Sequence, residues 1–424
     1  MKIAIRLLTT LAAALSVLGA AHAASPPFYL HDGDRVVMYG DSITEMRLYT
    51  LYTEEFVTTR FPRLKIDWAN AGWGGDRVIG GLGGTADVRV QRDVLPYRPT
   101  VVTMMFGMND GRYSPLDQQA YSTYTTGYAH IVDTIKKGAP GVRFTFIQPS
   151  PYDEITQPLK FAGGYNSVLL RFGAFVKDFS SQNSQTVTDF NTPVVTLLQK
   201  ARATDPAISP WIVRDRIHPS PGAHLLMAEA LLKSWNAPGV VSSIVIDAAN
   251  KSIVSTENTT AAKLSVSSAV TWDQTDNALP MPFDLIDPTT VFALSNSDFV
   301  GAMNRQTMQV TRLTSANYIL KIDGKPVGTF TREQLGRGVN LASLETPMVV
   351  QARRVTQLTE YHSNLQFERW RSIQIPLATE PDPDVQTATK ELIWTLNLRE
   401  SAIVASMHAA ALPTIHHFSL TPTA

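Results

Sequence analysis

The sequence predicts an α/β domain built on a five-stranded parallel sheet, followed by a smaller antiparallel β module and two long helices. Three observations carry this reading. Five apolar, β-rich runs recur in the first half, at residues 35–39, 64–68, 100–106, 142–147 and 186–190. Segments with helical spacing lie between them, among them 46–61, 121–137 and 165–180, and strands alternating with helices imply a parallel sheet. Past Asn236-Ala237-Pro238-Gly239 the texture changes to short β-rich runs.

Each element has its own justification. Val101-Val102-Thr103-Met104-Met105-Phe106 is continuously apolar, as suits a strand covered on both faces. Helices on both faces of such a sheet make a flavodoxin-like three-layer domain. A last helix, 223–235, follows Pro221-Gly222, which places the domain at residues 27–236, a normal size for one core. In the second half, runs at 243–247, 252–255, 263–267, 270–274, 307–313 and 318–322 precede Asp323-Gly324, a hairpin turn signal, and then a run at 326–330. Helical patterns follow at 347–370 and 384–411, separated by Pro381 and Pro383. Residues 240–424 therefore read as a β module plus helical extension. A chain of 424 residues has room for about two to three domains.

Residues 1–23 read as a secretory signal. Lys2 and Arg6 open it, an apolar core runs over 7–18, and Ala21-His22-Ala23 supplies the cleavage pattern. No later stretch is long and apolar enough to span a bilayer. The chain has no cysteine, so an exported protein must rely on its core rather than on disulfides. Thiol nucleophiles and cysteine-ligated metals are excluded. These features suit a periplasmic or secreted protein. The 37 basic and 37 acidic residues balance, and no basic excess points to nucleic acid or an anionic membrane.

Four short stretches carry chemistry. The first apolar run ends in Gly40-Asp41-Ser42, a serine presented at the carboxyl end of a strand, where α/β proteins bind ligands. After the second run comes Asn70-Ala71-Gly72-Trp73-Gly74-Gly75-Asp76, a turn whose glycines let backbone N–H groups approach a ligand. Gly107-Met108-Asn109-Asp110 follows the third run and offers a side-chain amide. Asp215-Arg216-Ile217-His218-Pro219 lies near the domain's end. An acid three residues before a histidine can fix its tautomer and leave the second nitrogen facing a nucleophile. Asp215, His218 and His224 can also be read as metal ligands, but no metal-binding signature accompanies them.

Together, in this order, the four stretches resemble the blocks of the SGNH/GDSL hydrolase family. The resemblance covers roughly the first half of the mature chain. It implies that Ser42 is the nucleophile, His218 its general base and Asp215 the group that orients the base. It implies oxyanion donors from the Ser42 N–H, the Asn109 side chain and the Gly75 N–H, with Gly72 and Gly74 as alternatives to Gly75. Neither a metal nor an organic cofactor is called for. Trp73, Met108, Tyr113, Tyr152 and Trp211 lie near these loops as candidate pocket walls. The function implied is an exported serine esterase acting on small acyl groups, acetyl among them, of a carbohydrate or other alcohol. A lipase-like or thioester hydrolase for longer chains is the alternative within enzymes, and a non-catalytic carbohydrate-binding protein on an esterase fold is the alternative outside them. The apolar, proline-stiffened stretch Leu279-Pro280-Met281-Pro282-Phe283, preceded by Trp272, is expected to fold back onto the first domain beside the serine crevice.

Overall fold

The computed structural model describes residues 27–423; the secretory-signal reading of residues 1–23 lies outside the described residues. The chain opens with β1 (Arg35–Gly40), the short helix α1 (Ser42–Glu45), α2 (Leu48–Arg60) and β2 (Asp67–Gly72). A two-stranded ribbon follows, β3 (Gly80–Gly81) and β4 (Gly84–Thr85), leading into α3 (Ala86–Arg89). Then come β5 (Val101–Met105), α4 (Gln118–Gly138), β6 (Arg143–Gln148), α5 (Tyr165–Gln182), β7 (Thr186–Asp189), α6 (Asn191–Thr204) and α7 (Pro221–Ser234). The five main strands form one sheet in the order β2-β1-β5-β6-β7, and their neighbours pair in parallel. This is the doubly wound order with its switch point between β1 and β5, where such sheets open a crevice at their carboxyl ends. The predicted α/β fold is therefore the observed one.

Local chemistry sets the helix starts. Asp117 caps α4 by accepting from the Ala120 N–H (2.6 Å), and Ser220 caps α7, whose first residue is Pro221, a position where the missing N–H costs nothing. The second strand departs from expectation. It runs over 67–72 rather than 64–68, because Arg35 pairs with Asp67 and the pairing continues to Gly40 opposite Gly72. Asn70, a turn former by type, is held in the strand by its side chain. Its Nδ2 donates to Thr44 O (2.8 Å) and Thr50 Oγ1 (3.1 Å), and its Oδ1 accepts from the Gly72 N–H (3.0 Å).

The second half continues with β8 (Val240–Asp247), β9 (Ser252–Glu257), β10 (Thr259–Val266), β11 (Val270–Asp276), α8 (Pro288–Ser295), α9 (Phe299–Met303), β12 (Arg305–Thr311), β13 (Asn317–Ile322) and β14 (Lys325–Thr331). It ends with α10 (Arg332–Arg337), β15 (Val339–Asn340), α11 (Pro347–Phe367), α12 (Pro383–Ala411) and β16 (Ile415–Pro422). The β module is two sheets, ordered β10-β11-β16-β13-β14 and β15-β12-β8-β9. The first is antiparallel throughout, whereas β8 and β12 pair in parallel. The two sheets share one apolar core with Met348, Ala352 and Val355 of α11. Trp272 stays inside that core, stacked on Phe418, rather than reaching the first half.

The stretch after it does reach the first half. Leu279 donates its N–H to Thr59 O (2.9 Å), and Met281, Ala293, Phe299 and Met303 join the core of the parallel sheet. The buried Arg60 guanidinium donates to Met303 O (3.0 Å) and Pro238 O (3.3 Å). Helix α11 lies along α2. Between them the buried His362 donates to Glu54 through Nδ1 (2.9 Å) and faces Glu400 of α12 across 3.5 Å. No helix among the described residues is long and apolar enough to cross a membrane.

Two outcomes follow from this docking. A large side chain that is fully buried contributes about 1.5–3 kcal/mol, so a chain ending at Asn236 loses several such contributions. It also leaves Arg60 and Glu54 without partners. Its melting temperature should fall sharply or the fragment should be insoluble; a fragment as stable as the whole chain would contradict the packing. The second outcome concerns pH. Burial alone would depress the His362 imidazole, but Glu54 and Glu400 push it up to about 10. A raised folded value means stabilisation that is complete below the unfolded value of about 6.5 and lost as pH climbs toward about 10. Glu55, pushed up to about 8 by burial, acts in the same direction from lower pH. Melting temperature should decline from neutral to alkaline pH, with a shallower slope in His362→Gln.

Candidate active site

At the carboxyl end of β1 the backbone turns sharply. A Cβ on Gly40 would lie 2.7 Å from Met105 O, so only glycine admits the approach of β5 there. Asp41 is fully buried and accepts from the Ile43 N–H (3.0 Å), capping the short helix that carries Ser42. Burial pushes its carboxyl up to about 8. Its place is structural: it closes the turn that presents the neighbouring serine.

The loop before α7 brings the histidine to that serine. His218 Nδ1 lies 2.5 Å from Asp215 Oδ2, and His218 Nε2 lies 2.8 Å from Ser42 Oγ. With Nδ1–H donating to the carboxylate, Nε2 is left to accept from the serine hydroxyl. Asp215 Oδ1 also accepts from the backbone N–H groups of Ile217 (3.0 Å) and His218 (2.8 Å). Partial burial works to raise the Asp215 carboxyl, but these hydrogen bonds outweigh it and hold it below the usual range. The loop is braced from behind. Arg216, at φ 73°, donates through Nε to Asp153 O (3.1 Å), while the Asp153 N–H donates to Arg216 O (2.9 Å).

Asn109 follows β5 and lines an open groove together with Gly75. Its Nδ2 donates to Asp76 O (3.0 Å), and its Oδ1 accepts from Tyr113 Oη (2.9 Å). An amide has two N–H bonds, so one remains to point at a ligand. Tyr113 and its neighbour Arg112 have φ of 55° and 54°, a left-handed conformation that costs energy in non-glycine residues and clusters at functional sites. Asp110 accepts from the Val78 N–H (2.9 Å), and burial pushes it up to about 7; like Asp41, it anchors a loop.

The three glycines of the turn differ in their surroundings. The Gly72 N–H is committed to Asn70. Gly75 is exposed at φ 72°, with open space where a Cβ would stand. A Cβ on Gly74 would lie 2.9 Å from the Glu45 carboxylate.

Beneath this turn sits an arginine that sequence reasoning missed. Arg89 has no exposed side-chain surface and pairs with Asp76 (2.9 Å) and Asp93. It also donates to Ala71 O (2.7 Å). Tyr39, Trp73 and Trp370 surround its guanidinium, and Trp370 Nε1 donates to Asp93 Oδ1 (2.8 Å). Nothing in its helical surroundings distinguishes Arg89 from a surface residue until the tertiary fold is known.

The proposed pocket walls divide. Trp73 is committed to the arginine cluster, packed under Arg371 and Arg92. Met108 is core. Tyr152 is buried against Tyr165 and under Arg216. Trp211 is half exposed, with Arg214 over its ring. Tyr113 alone of the five bonds a candidate site residue. His224, the third member of the alternative metal set, is fully buried and stacked on Tyr49. Burial, with His218 adding to it, lowers its imidazole to about 3.

Residues 38–226 match the family model described as GDSL-like lipase/acylhydrolase. A search of the curated proteins found no match. Among solved structures, a gut microbial diltiazem-metabolizing enzyme is similar over 93% of this chain and 98% of its own, at 24% identity and a TM-score of 0.80. That likeness of fold runs through both halves of the chain. Axe2, an acetylxylan esterase from Geobacillus stearothermophilus, is similar over 49% of this chain and 96% of its own, at 21% identity and a TM-score of 0.39. The lipase/acylhydrolase from Enterococcus faecalis is similar over 47% and 94%, at 20% identity and a TM-score of 0.35.

The arginine cluster generates a test. Removing one partner of a buried ion pair costs about 3–5 kcal/mol, because the remaining charges stay in the core. Arg89→Met should lower the melting temperature steeply, whereas Arg92→Gln, whose side chain is about one quarter exposed, should lower it far less. Equal effects would remove Arg89 from its central place.

Proposed function

We propose that Ser42 is the nucleophile of a carboxylic ester hydrolase whose first domain, matched over residues 38–226, belongs to the GDSL-like lipase/acylhydrolase family. Ester hydrolysis is that domain's class. The observation that carries the assignment of residues is the continuous chain from Ser42 Oγ through His218 to Asp215. His218 takes the serine proton as Ser42 attacks the ester carbonyl. Negative charge then develops on the former carbonyl oxygen. The Ser42 N–H, the Gly75 N–H and the free Asn109 N–H are the donors we assign to it. His218 returns its proton to the leaving alcohol, and water repeats the sequence on the acyl-enzyme. The catalytic unit is assigned to 27–236 and the extension to 240–424, with Met281, Ala293, Phe299 and Met303 of the extension completing the catalytic core.

The reading extends to an exported enzyme, on the strength of the signal pattern at 1–23, that acts on small acyl groups such as acetyl on a carbohydrate. A second reading, longer acyl chains, has one observation in its favour. An open groove of about 610 Å³ runs from Gly75 and Asn109 along the β3–β4 ribbon, and Leu82 on it is almost fully exposed.

Ser42→Ala should abolish turnover and labelling by a serine-reactive phosphonate while the melting temperature holds; a label mapped to another residue would refute the assignment. His218→Ala should be severely impaired. Asn109→Ala should lower kcat by about 10²–10³-fold with little change in KM. Acetylated sugars beside nitrophenyl esters of graded chain length separate the two substrate readings, because the small-acyl reading requires turnover to drop with chain length.

A further inference from the structure

A second cavity, of about 370 Å³, lies beside the candidate active site and not within it. Leu48, Leu51 and Tyr52 line it from the first turns of α2, and Pro221 and Leu225 from the start of α7. Those two helices begin just after Ser42 and just after His218, so the cavity sits at the same end of the sheet as the serine. Residues 281–284 and one face of α11 close it. Neither Ser42, His218, Asp215 nor Asn109 contributes to the wall.

Its chemistry is two-sided. The floor is apolar, with Leu51, Leu225, Met281 and Phe283. Just outside, Leu285 and Ile286 are 62% and 94% exposed. Three carboxyl groups share the wall: Glu55, Asp284 and Glu360. Glu55 is almost completely buried, and Thr356, donating to its Oε1 (2.5 Å), is the one hydrogen-bond partner of the carboxyl among the described residues. The cation on the wall, Arg353, is already engaged by both carboxylate oxygens of Glu345 (2.5 and 2.6 Å). Burial raises the Tyr52 hydroxyl, and the carboxyl groups of Glu55, Asp287, Asp284 and Glu360 raise it further. Burial likewise pushes the Glu55 carboxyl up to about 8, as expected of an acid that lacks a counter-cation.

We propose that this cavity binds amphiphilic organic cations, with an apolar or aromatic body on the Leu51–Leu225–Met281 floor and a protonated amine facing Glu55, Asp284 and Glu360. The floor supplies burial of apolar surface. The amine supplies the charge that the buried carboxyl is missing, and Tyr52 offers it an aromatic face. An anion of the same shape would meet three carboxyl groups.

The site is distinct from Ser42 chemistry, so it can be tested with turnover removed. The full-length Ser42→Ala protein is titrated calorimetrically with N,N-dimethyl-3-phenylpropylamine, 3-phenylpropan-1-ol and 3-phenylpropanoate. The amine should bind at least about tenfold more tightly than the alcohol, as a charge-assisted hydrogen bond requires, and the carboxylate most weakly. Asp284→Asn, an exposed change that leaves the core untouched, should weaken the amine by about threefold and leave the alcohol unchanged. Leu51→Trp, filling the cavity, should abolish binding of all three. Equal affinity for amine and alcohol, amine binding indifferent to both Asp284→Asn and Glu55→Gln, or binding that survives Leu51→Trp in folded protein would each overturn the proposal.

Discussion

The charge on Arg89 is the constraint around which much of this molecule is arranged. A guanidinium without solvent contact is costly, and its enclosure is tolerated only where geometry and partners are complete. Here the partners come from three places: Asp76 of the glycine turn, Asp93 one turn onward, and the Ala71 carbonyl of β2. The lid is Trp370, from the far end of the chain, which both faces the arginine and donates to Asp93. The interaction therefore joins the extension to the loop that bears Gly75. It continues outward, because the Asp76 carbonyl accepts from the Asn109 amide, and Tyr113 fixes the other side of that amide. An unbroken run of polar contacts thus links Trp370 to the Asn109 side chain.

The same logic explains the acids of the short motifs. Asp41 and Asp110 are chemically reactive types in prominent positions, yet both are buried and both accept from backbone N–H groups. Their work is to hold loops in shape. The carboxylate in hydrogen-bond contact with the histidine is instead the more exposed Asp215. Burial separates the two kinds of acid: raised values for the anchors, a lowered one for the partner of an imidazole.

Much of this was legible in the sequence, and what was not has physical causes. The apolar runs located four of the five parallel strands because strands covered on both faces cannot alternate. The second was misplaced because Asn70 and Gly72 are turn formers by type, and only pairing with β1 shows them to be strand residues. β16 escaped altogether. Its inward residues are Phe418 and Leu420, between histidines, serine and threonine, and it becomes a strand by lying between β11 and β13 at the centre of its sheet. The Ser42, Asp215, His218 and Asn109 positions could be named from motifs, since each motif is a local turn. The place of Arg89, and the bonds of Tyr113 to Asn109 and of Arg216 to Asp153, could not be read, since those partners lie in tertiary space.

Edge protection supplies the remaining reason for the long extension. β2 is an edge of the parallel sheet, and an uncovered edge offers unpaired backbone groups to other chains. Gln366 of α11 donates to the Asn70 carbonyl (3.3 Å) on that edge and to Tyr97 Oη (2.9 Å). Arg371, just beyond α11, pairs with Glu45 (3.4 Å) of α1. A helix that covers the edge is also brought against α2, and α2 begins beside the serine turn. The cavity at the first turns of α2 and α7 is then a geometric consequence of covering the edge. One face of α11 and the 281–284 segment close that cavity. Covering the sheet and shaping a space next to the crevice are two results of one packing requirement.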